Sequence, residues 1–177
     1  LNNLGNLFYE LKDYVKAEKF YSNSLKIKKE KMGESHPDYA SGLDNIALVY
    51  CGMGAYDRAK QLHLKAMDIR KNTLGENHPD YILSLHNTSM VYSCLNDIEK
   101  AEYYALEAYE KFKLLYGETN LHCARALNNI GVIYKNVGQY EKAESYYLQA
   151  LKVTKEVLGE KSLDYVVLLT NIGDFYL

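Results

Sequence analysis

One residue type returns on a strict count: Asn stands at positions 3, 45, 87, 129 and 171, each 42 residues after the last. The surrounding segments repeat with it, as Leu1-Asn-Asn-Leu-Gly, Leu43-Asp-Asn-Ile-Ala, Leu85-His-Asn-Thr-Ser, Leu127-Asn-Asn-Ile-Gly and Leu169-Thr-Asn-Ile-Gly. Four complete units (1–42, 43–84, 85–126 and 127–168) and nine residues of a fifth (169–177) fill all 177 positions without insertion or deletion. A period of this length excludes a single closed core and points to stacked repeats with an elongated surface. Asn is a middling-to-poor helix former, so its recurrence at one phase of every repeat asks for a physical reason.

The phases of one repeat, counted from Leu1, resolve into two helical stripes. Phases 1, 4, 8 and 11 are mostly apolar: Leu1, Leu4, Phe8 and Leu11 in the first unit, Leu127, Ile130, Tyr134 and Val137 in the fourth. Steps of three, four and three trace one face of a helix, here helix A. A second stripe, helix B, runs through Tyr14, Ala17, Tyr21, Ser24 and Leu25, and again through Tyr140, Ala143, Tyr147, Ala150 and Leu151. The breaks at Lys12-Asp13 and Gly138-Gln139 have the length of a tight helix–helix turn.

The far end of helix B is marked by Gly33, Gly75, Gly117 and Gly159, where a left-handed C′ residue is expected. Three residues later come His36, His78, Asn120 and Ser162, with Pro37 and Pro79 following directly in the first two units. Asn and Ser are strong N-caps, Pro favours the first helical position, and Asp38, Asp80 and Asp164 place negative charge in the first turn. Each unit therefore reads as helix A, turn, helix B and a Gly-Glu-x-x loop. The fold class is all-α, an array of helical hairpins.

The tetratricopeptide pattern W-x2-L-G-x2-Y…A-x3-F is similar to Leu127-x2-Ile130-Gly131-x2-Tyr134 with Ala143-x3-Tyr147, and to Leu1-x2-Leu4-Gly5-x2-Phe8 with Ala17-x3-Tyr21. Leu replaces the usual Trp. Lys29, Lys71, Lys113 and Lys155 stand where that family carries a Pro after helix B, so helix B is expected to run about two turns longer. The 42-residue form, with its LNNLA-like start and LGExHPDYA-like loop, resembles the repeats of kinesin light chains. Similar arrays occur in nephrocystin-like proteins and in signalling ATPases with sensor domains. The third repeat departs most, with Thr119-Asn120-Leu121-His122 in place of the HPD loop and Thr88-Ser89 in place of Leu-Gly. The resemblance implies a right-handed superhelical solenoid of antiparallel helix pairs over residues 1–177, read as one array. Because the chain opens inside a repeat, stops within a helix and has no polar capping unit, it is expected to be part of a longer array.

The resemblance also implies which face of helix A lines the inner surface. At about 100° per residue, phases 3, 6 and 10 with phase 41 of the preceding unit lie opposite the apolar stripe, flanked by phases 2 and 9. A peptide-binding row is expected there, built on Asn3, Asn45, Asn87, Asn129 and Asn171, with Asp44, Leu48, His86, Met90, Arg125, Asn128, Val132 and Lys135 beside them and Asp174 at the end. An Asn amide offers one acceptor and two donors, the complement of an extended peptide backbone. Leu48, Met90 and Val132 would supply an apolar floor. Alternatively, the same amides bond to an adjacent helix and fix repeat packing. Charge on this face is mixed, and the acidic, aromatic-containing peptides favoured by kinesin light chains would prefer a basic one.

Other residues carry little chemistry. The 18 tyrosines fall largely on packing stripes, among them Tyr50, Tyr92, Tyr134 and Tyr176 at the phase of Phe8. His36 and His78 read as capping residues, and His122-Cys123 lacks companions at zinc spacing. Cys51 with His86 has no orienting carboxylate or oxyanion site to make it a nucleophile and base. A net charge of -2 removes the basic footprint of a nucleic-acid binder, and no segment approaches a membrane span. Three cysteines without CxxC spacing suit a reducing compartment, so the cytoplasm is expected. The chain is thus expected to be a scaffold without enzymatic activity or cofactor that holds a linear segment of a protein partner. A structural spacer associating through its terminal helices, and a sensor array of a larger signalling protein, are the alternatives.

Overall fold

The 42-residue period reappears in the backbone. The computed structural model describes residues 1–176, with side chains through 173, so the side chains of Asp174 and Tyr176 lie outside the described residues. Among the described residues there are nine α-helices and no strand: α1 (Asn2–Glu10), α2 (Tyr14–Met32), α3 (Pro37–Gly52), α4 (Tyr56–Leu74), α5 (Pro79–Cys94), α6 (Ile98–Tyr116), α7 (Leu121–Asn136), α8 (Tyr140–Leu158) and α9 (Leu163–Tyr176). The B helices α2, α4, α6 and α8 each have 19 residues, and the A helices α3, α5 and α7 each have 16.

The lengthened B helix follows from the missing proline, and the Lys in its place has a further task. Lys71 Nζ reaches Glu76 Oε1 at 2.6 Å, and Lys113 and Lys155 reach Glu118 and Glu160 at 2.5 Å. Lys29 pairs likewise with Glu34. The Glu of each Gly-Glu loop is thereby tied back to the last turn of helix B.

The glycine between them is more constrained than a left-handed C′ residue. Gly33 has φ 84° and ψ 167°, and Gly75, Gly117 and Gly159 repeat this geometry. That combination is essentially confined to glycine, whereas the expected left-handed conformation would also admit Asn. Each glycine N–H donates to the carbonyl four residues earlier, so helix B closes its last bond before the chain turns.

Helix A begins on side-chain caps. His36 Nδ1 accepts from the Asp38 N–H at 3.1 Å, and His78 Nδ1 accepts from Asp80 at 3.1 Å. Asn120 Oδ1 accepts from the Cys123 N–H at 3.0 Å and Ser162 Oγ from the Tyr165 N–H at 3.3 Å. Different side chains thus perform the same local task at α3, α5, α7 and α9, whereas Leu1 gives α1 no side-chain cap.

Two compact units divide the chain, residues 1–95 with α1 to α5 and residues 96 onward with α6 to α9. In the first, Ala17 and Tyr21 of α2 pack with Ile46 and Val49 of α3, and Ala59 of α4 packs with Ala47 and Val91. In the second, Leu127, Ala150 and Leu168 join α7, α8 and α9. Tyrosine hydroxyls sit at the edges of these layers as expected. Tyr50 Oη donates to Glu18 Oε1 at 2.6 Å, and Tyr134 Oη donates to Glu102. Leu4 and Leu7 of α1 are exposed, although their counterparts Ile46 and Val49, and Ile130 and Ile133, are buried.

Candidate functional site

Helix A of each repeat carries a row at spacing i, i+4, i+7 and i+11, which a helix presents on one side. In α3 that row is Ser41, Asn45, Leu48 and Gly52, and in α5 it is Leu83, Asn87, Met90 and Cys94. The aliphatic members stand open, with relative exposures of 41% for Leu48, 42% for Leu83 and 48% for Met90. Asn45 and Asn87 are half-buried between them, and Asn3 of α1 is exposed. Amides flanked by uncovered aliphatic side chains form a surface with polar anchors and an apolar floor.

Asp44 does not belong to that surface. It is buried, as are His63 and Arg70 of α4, with exposures of 8%, 1% and 4%. Arg70 Nη1 donates to Asp44 Oδ2 at 2.5 Å and to Ser84 Oγ at 2.6 Å, while its Nη2 donates to Ser41 Oγ at 3.1 Å. His63 Nδ1 lies 2.7 Å from Asp44 Oδ1, and because a carboxylate only accepts, that nitrogen carries the proton. Ser41 and Ser84 in turn donate to the carbonyls of Pro37 and Asp80. In the second repeat, phase 2 thus turns inward onto helix B of its own repeat, so Asp44 is a packing residue. One guanidinium touching Ser41 of α3 and Ser84 of α5 also shows that these helices converge on the same side of α4.

This network is absent from the sequence expectation. Half of its signal was nonetheless present, since His63 occupies the phase of Tyr21, Ala105 and Tyr147, and an ionisable residue at such a phase requires a buried partner. Arg70 shares its phase with Lys28, Phe112 and Thr154, which marks nothing.

In the second unit the row is more closely tied to packing. Asn171 Nδ2 donates to Asn128 Oδ1 at 3.0 Å, linking α9 to α7. Asn129 is buried, and Val132 and Lys135 are half-buried. Arg125 is exposed and lies 3.6 Å from Asp164 Oδ2 of α9. His86 of α5 is half-buried at the phase of Asp44. The five repeated asparagines therefore occupy different environments, from exposed Asn3 to buried Asn129.

The thiols and the remaining histidine show no activated chemistry. Burial, with Cys94 nearby, pushes the Cys51 thiol up to about 11, which disfavours the nucleophilic thiolate. His122 stacks on Phe112 with ring centroids 4.7 Å apart, and burial together with Arg125 lowers its pKa below the ordinary value. Cys123 is buried against Asn120, whose Nδ2 lies 3.2 Å from the sulfur. Among the described residues no helix is long and apolar enough to cross a membrane.

Comparison with known proteins agrees with the helical-repeat fold. Tetratricopeptide repeat family models match residues 1–72, 39–113 and 123–164. A search of curated proteins finds no match. Among solved structures, BtubC (BKLC) from P. vanneervenii is 24% identical, with a TM-score of 0.77 over 98% of this chain and 72% of that one. A Podosopora anserina protein carrying kinesin light chain nearly identical TPR-like repeats gives 15% identity and a TM-score of 0.78 over 99% and 83%. The apo form of RapI gives 18% and 0.73, with 99% of this chain and 47% of that one covered. The period of 42 residues, the lengthened B helix and the matched repeat models lead to one conclusion: the chain belongs to the tetratricopeptide repeat family.

Proposed function

We propose that the chain is a protein-interaction scaffold that holds an extended segment of a partner protein on the open face of its A helices. The observation that carries this reading is the placement of Asn45 and Asn87, half-buried between the uncovered side chains of Leu48, Leu83 and Met90. Each amide can give and take a hydrogen bond with a peptide backbone, which holds a segment without reading its sequence. Within residues 1–95 Asn3 and His86 extend the row, and the second unit carries its own row of Arg125, Asn128, Asn129, Val132, Lys135 and Asn171. The free thiols Cys51, Cys94 and Cys123 support a reducing, cytoplasmic setting.

The test uses peptides selected from a displayed random library on the whole chain. Replacing both Asn45 and Asn87 with Ala should weaken the selected peptides by about tenfold or more, since each lost hydrogen bond contributes roughly 1 kcal/mol. Helicity and melting should stay near the parent's. Unchanged affinity would sink the amide row, and a collapsed fold would assign the asparagines to packing.

The alternative reading is a structural spacer that associates with copies of itself through its terminal helices. Sedimentation equilibrium separates the two, because an assembly element gains mass with concentration and a peptide-binding monomer does not.

A further inference from the structure

We infer that the open face of α3 and α5 selects an uncharged segment with apolar side chains and rejects acidic ones. This deepens the proposed function and rests on it. The argument begins with what the two helices lack: neither Pro37–Gly52 nor Pro79–Cys94 contains a lysine or arginine. Of their carboxylates only Asp44 is buried, whereas Asp38 and Asp80 are exposed in the first turns, seven residues before Asn45 and Asn87, and add negative charge at that end of the same side. Arg70, the cation that Ser41 and Ser84 touch, is committed to Asp44 and covered from solvent.

Along the middle of the face stand exposed Leu48, Leu83 and Met90 and half-buried Ser41, Asn45 and Asn87, all of them neutral, with half-buried His86 beside them. A peptide carboxylate laid on this face would lose water and find no cation, a cost that hydrogen bonds to amides do not recover. A Leu, Ile, Met or Phe side chain would instead cover the exposed atoms of Leu48, Leu83 and Met90 and remove that apolar surface from water. Met90 suits this role, since its unbranched thioether adapts to side chains of different shape. The α7 row differs, because it carries Arg125 and Lys135. The occupant that fits α3 and α5 is therefore an extended, uncharged apolar stretch of a partner protein.

The same displayed library supplies the test. Peptides enriched on the whole chain should carry aliphatic or aromatic residues and few Asp or Glu. The affinity of a synthesised representative should change by less than about twofold between roughly 50 and 500 mM NaCl, because no charge pair is there to be screened. Leu48→Ser and Met90→Ser, both at exposed positions, should each weaken it by about tenfold. Enriched Asp or Glu, or affinity falling more than about tenfold with salt, would overturn the inference. Acidic peptides that depend on Asn45 and Asn87 would leave the amide row standing while removing its apolar selectivity. Apolar peptides that depend on Leu48 and Met90 but not on the asparagines would do the reverse. A library that enriches nothing counts against both.

Discussion

Gly131 shows how tightly single positions are specified. A Cβ at this residue would lie 2.7 Å from Cε1 of Tyr147, a ring that is itself buried. Gly5 stands in the same relation to Tyr21, so glycine and tyrosine were kept together at these phases in the first and fourth repeats. The second repeat has Ala47 and His63 there instead, a larger residue where the ring is smaller. Gly131→Ala should therefore overpack the α7–α8 contact and destabilise the chain by about 1–3 kcal/mol, read as a lower denaturant midpoint. Such residue pairs were partly legible in the sequence, because the tetratricopeptide pattern places a small residue beside helix B. Asp44 was not legible in the same way. Its phase borders the open face, and only the position of Arg70 and His63 on α4 decides that it turns inward.

At the level of the helix, local chemistry explains most of what was read correctly. The period located helix ends because caps and glycines recur at fixed phases, and the structure uses them with hydrogen bonds the sequence could anticipate. Their quality differs between repeats. Asp13 and Asp97 cap α2 and α6 by accepting from Lys16 and Lys100, whereas Ala55 and Gln139 start α4 and α8 without a side-chain hydrogen bond. Ala55→Asp should supply the missing acceptor and raise stability by about 0.5–2 kcal/mol, with Gln139→Asp acting in the same direction. Thermal denaturation of each variant checks this, and an unchanged midpoint would mean that a polar contact elsewhere already serves that end. The conformation of the helix-B glycines was less legible. Sequence marks the need for positive φ but carries no signal for ψ, which depends on where the following helix must begin.

Across the whole molecule, the Lys–Glu pairs behind each glycine are a recurring electrostatic element. Hydrogen bonds from Lys29 and then Lys65 hold the Glu34 carboxyl at about 2, below its ordinary 4.5, and Lys113 lowers Glu118 in the same way. A depressed carboxylate stabilises the folded chain fully above its unfolded value and loses that contribution as pH falls through the folded one. The difference in melting temperature between the parent and Glu34→Gln should therefore be present at neutral pH and fade between about 4.5 and about 2. Being largely exposed, these pairs contribute little each, and added salt should shrink the difference further. The 42-residue spacing of helix starts was legible at this scale, because it needs only a period. The division into units at residues 95 and 96 was not, since it falls inside a repeat with no change in composition to mark it.

The buried cluster of Asp44, His63, Arg70, Ser41 and Ser84 also bears on how such a gene can be cut and rejoined. Arrays of equal modules tolerate recombination wherever the phase is kept, because each junction resembles the next. Here one stretch breaks that equivalence. A crossover between residues 44 and 70 would separate the aspartate from its arginine and strand a buried charge, at a cost of about 3–5 kcal/mol. A crossover outside Ser41 and Ser84 would carry the cluster whole. Within an otherwise interchangeable series, those residues form a cassette that is inherited together.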